Sequence, residues 1–298
     1  METCTVGIII PTLNAQDEIG ELLELLKNQT RSLDEILVID SNSDDDTVSI
    51  VESFEDVRLI SIERKDFNHG LTRDLGMRTL QSDFILFLTQ DALPVSERYV
   101  ENLIRPMLEF EDIAMSSGRQ LPKKDARRFE QLVRSYNYSA ASVVRSLEDV
   151  STMGIKAFFV SDACSAYRRE AYIACGGFDE VATNEDMLMA AKFMRDGMRV
   201  AYAADAEVYH SHNLGFREQY DRNYAIGAFL ESHKDDLCNA AVTSSGKDLA
   251  KHVFSELWKE RNMREMSAFF LDCIARLAGN ASGRRHAASA VASKGKRR

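Results

Sequence analysis

ILFLTQDALP, residues 85–94, is an apolar run that stops at one acidic residue. Ile85 to Leu88 have the length and character of a buried strand, and Thr89-Gln90-Asp91 follow at once. A carboxylate that directly follows a buried strand lies at an edge of the sheet, where a ligand can reach it. The stretch therefore predicts a strand that carries Asp91 to the rim of a sheet.

The chain around this stretch alternates strand-like and helix-like segments through its first half. The strand-like runs are Thr5–Ile10, Glu35–Asp40, Val57–Ile62 and Phe84–Leu88, and the helical patterns between them are Asp17–Gln29, Asp45–Phe54 and Leu71–Leu80. This alternation predicts the α/β class, with a mainly parallel central sheet flanked by helices. Ligands of such sheets bind beyond the carboxyl ends of the strands, which are here Pro11–Asn14, Asp40–Asp46, Lys65–Arg73 and Thr89–Pro94.

The second half of the chain is mostly helical in pattern. Helices are predicted at Glu97–Phe110, Lys124–Tyr138, Glu185–Arg195, Phe216–His233 and Lys247–Leu277, and strands at Phe158–Tyr167 and Val200–His210. We expect a first domain over residues 1–233, a C-terminal helical extension over 234–282, and a basic, disordered tail over 283–298. Aromatic side chains of the extension are interpreted as core that packs on the first domain or on a second subunit, with a membrane-surface helix as the alternative; they are Phe254, Trp258, Phe269 and Phe270.

Composition excludes several classes of protein. The 298 residues are 45% hydrophobic, which is enough for a large core, and the net charge of −10 argues against a nucleic-acid partner. The five cysteines are scattered without metal-type spacing and indicate reduced thiols in a cytoplasmic protein. No run approaches 18 apolar residues, so no transmembrane helix is expected.

Two further stretches place polar groups at the predicted strand ends. LVIDSNSDDDT, residues 37–47, ends a strand at Asp40 and continues into an acidic turn, for which a helix cap over Ser43–Asp46 is an equal alternative. In FNHGLTRDLG, residues 67–76, Gly70 predicts an unusual backbone turn that brings together Asn68, His69 and Arg73. An exposed loop with solvated charges is the alternative for this second stretch.

Six motifs in order resemble family 2 glycosyltransferases of the GT-A fold. They are PTLN (11–14), LVIDSNSDDDT (37–47), GLTRDLG (70–76), FLTQDA (87–92), GGFDE (176–180) and NED (184–186), over about residues 5–230. FNHGLTRDLG with TQDA is similar to the rhamnosyltransferase branch. The resemblance implies a nucleotide-sugar donor, dTDP-L-rhamnose or another such as a UDP-sugar, and the contacts Thr12, Asn14, Asp40, Asn68, Arg73, Gln90 and Gln120.

The resemblance also implies a divalent cation, Mg²⁺ or Mn²⁺, bound by Asp91 at the donor diphosphate. The common family motif is Asp-x-Asp, whereas this chain has Thr89-Gln90-Asp91. A late histidine completes the metal sphere in many GT-A enzymes, and we favour His212 over His210 because it lies nearer the strand end. A helix cap is the alternative for Asp91, and ordinary strand-end histidines are the alternative for this pair.

The acidic pair Glu185-Asp186 is the family's source of a catalytic base. An inverting transfer needs one base to take the proton of the acceptor hydroxyl, and we assign Asp186 to it, with Glu185 orienting acceptor or metal. The helix N-terminus is expected to keep Asp186 ionised. A capping box from Thr183 to Asp186 is the structural alternative. Asp162 is a candidate sugar contact or a structural residue, and Cys164 has no base nearby and is not a nucleophile.

The resemblance implies a saccharide or lipid-linked saccharide of a surface polymer as acceptor. It also leads us to expect a cytoplasmic enzyme at the inner face of the plasma membrane, with peripheral membrane association and oligomerisation as further expectations. A nucleotidyltransferase is disfavoured because PTLNAQDE, residues 11–18, has no glycine-rich phosphate loop. A catalytically inactive nucleotide-sugar-binding relative remains the non-enzyme alternative, because Thr89 replaces a carboxylate.

Overall fold

A computed structural model describes residues 4–241 and 245–295. The strands are β1 Val6–Thr12, β2 Glu35–Asp40, β3 Val57–Ser61, β4 Phe84–Leu88, β5 Leu93–Pro94, β6 Ile113–Leu121, β7 Val143–Arg145, β8 Cys164–Arg168 and β9 Arg199–Tyr209. The helices are α1 Ile19–Lys27, α2 Thr47–Glu52, α3 His69–Thr79, α4 Tyr99–Glu109, α5 Arg128–Asn137, α6 Val150–Met153, α7 Arg169–Ala174, α8 Glu185–Arg195, α9 Phe216–Ser232, α10 Ser245–Lys259 and α11 Met263–Gly295. The strands form one sheet in the order β3-β2-β1-β4-β8-β6-β9-β5, with β7 paired to β9.

The sheet is parallel in its first half and mixed as a whole. β1 pairs in parallel with β2 and β4, and β2 with β3, as the alternating pattern predicts. β8 lies antiparallel between β4 and β6, and β5 and β7 are also antiparallel to their neighbour β9. In the second half β6 and β9 also pair in parallel, so the expected α/β sheet flanked by helices is present, with antiparallel strands at β5, β7 and β8. Because Cys164, the first residue of β8, pairs with Leu88, the last of β4, the segment before β8 lies beside Thr89–Asp91.

Apolar residues cover both faces of the sheet. The face that holds Ile8, Ile10 and Leu86 packs against the predicted stripe of α1, whose apolar residues are fully buried. The opposite face holds Ile9 and Phe87 and packs against α3 and α8. Since β1 and β4 are buried on both faces, the polar residues that follow their carboxyl ends are held in fixed positions.

The segment before β8 differs from its predicted structure. A strand was expected over Phe158–Tyr167, but Gly154–Phe158 form a 3₁₀ turn and the strand begins only at Cys164. Residues between them include Ser161 and Asp162, whose side chains bond within the site rather than across the sheet. This irregular segment therefore places polar groups at the carboxyl edge of the sheet.

Helix α11 packs closely on α9 and extends beyond the predicted helical region. A Cβ at Gly279 or Gly283 would collide with the backbone oxygens of Tyr220 and Tyr224, and one at Gly227 with that of Asn280. Glycine thus allows the two helix backbones to touch. The helix continues to Gly295, so the expectation of disorder is wrong for residues 283–295, whose alanines favour helix. Residues 296–298 of the expected tail lie outside the described residues.

The C-terminal helices also pack on α5. Phe269 is buried among Phe129, Val133 and Leu257, which agrees with the core interpretation for this residue. Trp258 and Phe270 are exposed instead, at 65% and 56%. Among the described residues, no helix is both long and apolar enough to span a membrane.

Candidate active site

The loops after β1 and β2 are joined by side chains that were predicted to contact a donor. Thr12 Oγ1 donates to Asp40 Oδ1 at 3.0 Å, and Asp40 Oδ2 accepts from the Ser43 backbone N–H at 2.9 Å. Gln90 holds the backbone of Leu13 through both ends of its amide, at 2.7 and 3.1 Å. Asp40 is fully buried, so its carboxylate fixes the loop from within.

Asn14 is the predicted donor residue that this loop leaves exposed. Its backbone lies in the left-handed region at φ 51°, and its side-chain oxygen accepts from the Asp44 N–H at 2.9 Å. Asp45 accepts from the Thr47 N–H at 3.0 Å at the start of α2, so part of the acidic turn has a capping role, as the alternative reading held. A donor would therefore meet a rigid loop edge formed by residues 13–14.

At the start of α3, Asn68 has a different role from His69 and Arg73, with which the sequence analysis grouped it. The Asn68 side chain accepts from the N–H groups of Gly70 and Leu71 and so caps the helix. His69 and Arg73 face a cavity instead. Gly70 has helical geometry rather than the expected unusual turn; a Cβ there would collide with the Asp179 carbonyl, so glycine serves close packing.

Arg73 joins two carboxylates from two distant segments. Its guanidinium lies 3.1 Å from Glu185 and 3.6 Å from Asp162, and all three side chains are buried. Ser165 and Tyr167 donate to Asp162 Oδ1 at 2.6 and 2.8 Å. Arg73 therefore organises the acidic cluster, defined as Asp162, Glu185 and Asp186, rather than projecting freely towards a base or phosphate as expected.

Asp186 is the member of this cluster that has no cation partner among the described residues. It accepts from the Met187 N–H at 2.7 Å and the Asp162 N–H at 3.2 Å. The alternative capping box is not formed: Asn184 is the N-cap residue at φ 59°, and Thr183 donates to the Asn184 side chain. The carboxylate thus remains available to the cavity that it lines.

Burial and repulsion raise the pKa values of Asp186 and Asp162. Burial, then Glu185 and Asp162, raise the pKa of Asp186 well above that of an ordinary carboxyl group. Burial also raises the pKa of Asp162, to about 6, against the opposing charge of Arg73. Contrary to the expectation that the helix N-terminus keeps Asp186 ionised, burial and repulsion from the neighbouring carboxylates favour its protonated form.

Asp91 forms a compact group with both candidate histidines. Its carboxylate lies 3.5 Å from His210 Nε2 and 3.6 Å from His212 Nδ1, and the potential ligand atoms of the three residues lie within 4.8 Å of one another. The helix-cap alternative for Asp91 does not hold, since α4 begins only at Tyr99. The structure thus places both His210 and His212 beside Asp91, whereas the sequence analysis favoured His212 as the metal ligand.

The residues around this group favour the binding of a cation. Gln120 Oε1 lies 2.9 Å from His210 Nδ1; a proton on Nδ1 would leave Nε2 free beside Asp91. Burial, helped by the charge of His210, lowers the pKa of His212 to about 4, so its imidazole is neutral at pH 7. Burial would raise the pKa of Asp91, but the neighbouring His210, His212 and Lys123 hold it below its usual range. One carboxylate and two imidazoles fit a divalent metal ion.

One cavity of about 570 Å³ contains both the Asp91–His210–His212 group and the acidic cluster. Thr89, at the place of the missing carboxylate, also lines it, and its buried hydroxyl has no hydrogen-bond partner in the described part of the protein. A larger apolar groove of about 740 Å³ borders α10 and α11, but no acid or histidine lines it. The chemistry is therefore concentrated in the smaller, polar cavity.

Sequence reasoning missed three arginines of this cavity. Arg134, Arg222 and Arg276 come from α5, α9 and α11 and line its walls. No short motif joins these positions, because helix packing alone brings them together. Cys164 is buried and burial raises its thiol pKa to about 12, which agrees with the absence of a nucleophilic role.

The fold and the cavity define a glycosyltransferase of the GT-A class. The mannosyltransferase PcManGT from Pyrobaculum calidifontis, solved in complex with GDP-Man and Mn²⁺, matches with a TM-score of 0.59 and 19% identity over 99% of this chain and 81% of that chain. The chain belongs to glycosyl transferase family 2, whose sequence model matches residues 7–176.

Two curated relatives resemble the chain over a longer stretch than the family model does. The O-antigen chain rhamnosyltransferase RfbN of Salmonella typhimurium is 42% identical over 228 residues, which are 75% of this chain and 72% of the relative. The O-antigen chain rhamnosyltransferase WbaN of Salmonella anatum is 36% identical over 225 residues, which are 74% of this chain and 71% of the relative. The expectation of a family 2 glycosyltransferase that resembles rhamnosyltransferases is thus confirmed.

Proposed function

We propose that this glycosyltransferase moves L-rhamnose from dTDP-L-rhamnose to a saccharide or lipid-linked saccharide of a surface polysaccharide, with inversion at the anomeric carbon. The observation that carries the proposal is the single cavity lined by both a cation-binding group and an acidic cluster. The choice of sugar rests on the two rhamnosyltransferases that are 42% and 36% identical to the chain.

The cation is proposed to be Mn²⁺, held by Asp91, His210 and His212. Mg²⁺ prefers an octahedron of oxygen atoms, whereas two of the three available donors here are imidazole nitrogens. When bound, the cation would neutralise charge on the leaving nucleoside diphosphate. Thr89 supplies a free hydroxyl on the same wall, and we propose that it donates to a donor oxygen.

Asp186 is proposed as the base that accepts the proton of the acceptor hydroxyl. Arg73 pairs with Glu185 and contacts Asp162, so these two carboxylates already have a cationic neighbour. Asp186 lines the cavity without such a partner, and its raised pKa makes it a stronger base once it is ionised. Glu185 and Asp162 then position Arg73 and the acceptor, while the loop at Asn14 lies at the edge where the nucleoside would bind.

A thermal-shift panel of nucleotide-sugars tests the donor proposal. Because ligands that bind the native state stabilise it by mass action, we expect dTDP-L-rhamnose with Mn²⁺ to raise the melting temperature by a few degrees. UDP-N-acetylglucosamine and GDP-mannose should give smaller shifts, and EDTA should reduce all of them. A larger shift with another nucleotide-sugar would show that this compound, rather than dTDP-L-rhamnose, is the preferred donor. The absence of any metal-dependent shift would contradict the proposal.

Peripheral association with the inner face of the plasma membrane is proposed for the C-terminal helices. Residues 245–298 carry twelve lysines and arginines against five acids, in a chain whose net charge is −10. Trp258, Phe270 and Leu277 are exposed on these helices. Basic and apolar side chains together favour an anionic lipid surface. Co-sedimentation with anionic, but not neutral, vesicles is expected, and equal recovery in the supernatant with both would contradict this placement.

A further inference from the structure

Three helices bring arginine side chains to one end of the cavity. Arg134 of α5, Arg222 of α9 and Arg276 of α11 line its wall and are here called the arginine cluster. The acidic cluster and Arg73 line the same cavity through other segments. The cavity thus has a basic set of residues that supply neither a ligand of the cation group nor the proposed base.

Arg222 is the uncompensated member of the arginine cluster. Arg134 donates to Glu130 at 2.8 Å, and Arg276 donates to Asp272 at 2.6 Å. Among the described residues, Arg222 forms neither an ion pair nor a side-chain hydrogen bond. Arg222 is exposed to solvent and lines the same cavity as Arg134 and Arg276, so its guanidinium is open to a ligand.

The scaffold holds these like charges near each other and near the cation group. Close contacts at Gly227, Gly279 and Gly283 fix α11 against α9. The Gln219 amide, in the orientation that satisfies both its ends, accepts from Arg276 Nε at 2.8 Å and thereby supports that side chain. Arg134 also donates to the side-chain oxygen of Gln120, which lies 2.9 Å from His210 Nδ1, so the arginine cluster lies beside the proposed cation site.

We propose that Arg222, assisted by Arg276 and Arg134, binds a phosphate group of a substrate. Arginine presents a planar fork of donors that matches phosphate oxygens, and such bidentate, charge-assisted pairs are among the stronger hydrogen bonds. Two sources have this chemistry: the diphosphate of the donor and a phosphate that links the acceptor saccharide to its lipid. This inference rests on the proposed function for the identity of the substrates, and it gives α11 a direct part in substrate binding.

Titration with inorganic pyrophosphate in EDTA tests the site without the cation and without turnover. We expect the wild-type protein to bind pyrophosphate, and Arg222→Gln to weaken binding at least tenfold. Arg217→Gln is the matched control, because Arg217 lies on the same helix with its side chain 92% exposed. Equal pyrophosphate affinity of wild type and Arg222→Gln, or no binding by wild type, would overturn the proposal, whether or not rhamnosyl transfer is found.

Steady-state kinetics of the same variants distinguish the two sources of phosphate. A KM for the nucleotide-sugar that rises about tenfold in Arg222→Gln assigns the donor diphosphate, and a similar rise in the KM for a lipid-linked acceptor assigns the acceptor phosphate. Arg276→Gln should change the same KM by a smaller factor. If neither KM changes while both variants melt like the wild type, Arg222 binds no substrate phosphate and the inference is wrong.

Discussion

Replacement of Asp186 by asparagine is expected to reduce glycosyl transfer by about 100- to 10,000-fold, the usual contribution of a positioned general base. Asparagine keeps the size of the side chain and its oxygen acceptor, so the hydrogen bonds from the Met187 and Asp162 N–H groups can persist. Donor binding should remain close to that of the wild type, because the cation group lies on other residues. Initial transfer rates and donor affinity of the purified variant measure both effects.

The same variant should be as stable as the wild type or more stable. The folded-state pKa of Asp186 is raised by burial and by Glu185 and Asp162. A raised pKa means that its stabilising contribution is present below the unfolded-state value and is lost as pH rises through the folded-state value. At pH 7 to 8 the buried carboxyl group therefore destabilises the folded state, and asparagine, which does not ionise, removes this destabilisation. Asp196→Asn, at the exposed end of the same helix, is the control, and a strongly lowered melting temperature would attribute lost activity to misfolding.

The pH dependence of wild-type transfer follows from the same cause. A base must be ionised to accept a proton, so kcat/KM should fall as pH decreases through a pKa that lies above the ordinary carboxyl range. Asp162 and Asp186 each affect the ionisation of the other, so the apparent pKa belongs to this pair rather than to Asp186 alone. The retained activity of Asp186→Asn should lack this acidic limb.

Replacement of Asp91 by asparagine is expected to have the second largest effect, a loss of roughly 1,000-fold at low Mn²⁺. A catalytic cation supplies several kcal/mol of charge stabilisation, and each 1.36 kcal/mol corresponds to a factor of ten in rate. Asp91 is the only carboxylate in the described candidate group, and its two partners are uncharged when they bind a metal ion. Excess Mn²⁺ should restore part of the activity.

Asp205→Asn is the matched control for this variant, because Asp205 lies exposed on β9 and pairs with Arg105 away from the cavity. Asp91→Asn should also lose the Mn²⁺-dependent part of donor binding, as measured by titration with dTDP-L-rhamnose with and without EDTA. Full activity of Asp91→Asn in EDTA would show that the Asp91–His210–His212 group does not hold a catalytic cation.

Local sequence patterns predicted the elements that carry the site. β2 and β4 have the predicted bounds, because continuous apolar runs bounded by polar turns leave little choice of structure. α8 also begins at Glu185 and ends at Arg195 as predicted. These elements place Asp91 and Asp186 at the same cavity. The position of Asp91 follows from local pattern together with the rule that ligands bind at the carboxyl ends of strands, whereas the role of Asp186 was expected from the family resemblance.

Relations between distant segments were not predictable in the same way. The antiparallel insertion of β8 places Asp162 beside Glu185 and Arg73, and this proximity reverses the expected ionisation of Asp186. Gln120 and Gln90 were both expected to contact the donor, but Gln120 bonds to His210 and Gln90 to the loop at Leu13. Desolvation and pairing between remote segments decide such roles, and neither leaves a periodic signal in the sequence.

The most direct test of a cation-dependent inverting transfer centred on this cavity is the anomeric configuration of the product. Purified enzyme is incubated with dTDP-L-rhamnose, Mn²⁺ and a lipid-linked saccharide, and the new linkage is determined by NMR. We predict a rhamnoside whose anomeric configuration is opposite to that of the donor, formed by the wild type and lost in Asp186→Asn and in EDTA. A product that retains the donor configuration, or equal product from wild type and Asp186→Asn, would contradict the account.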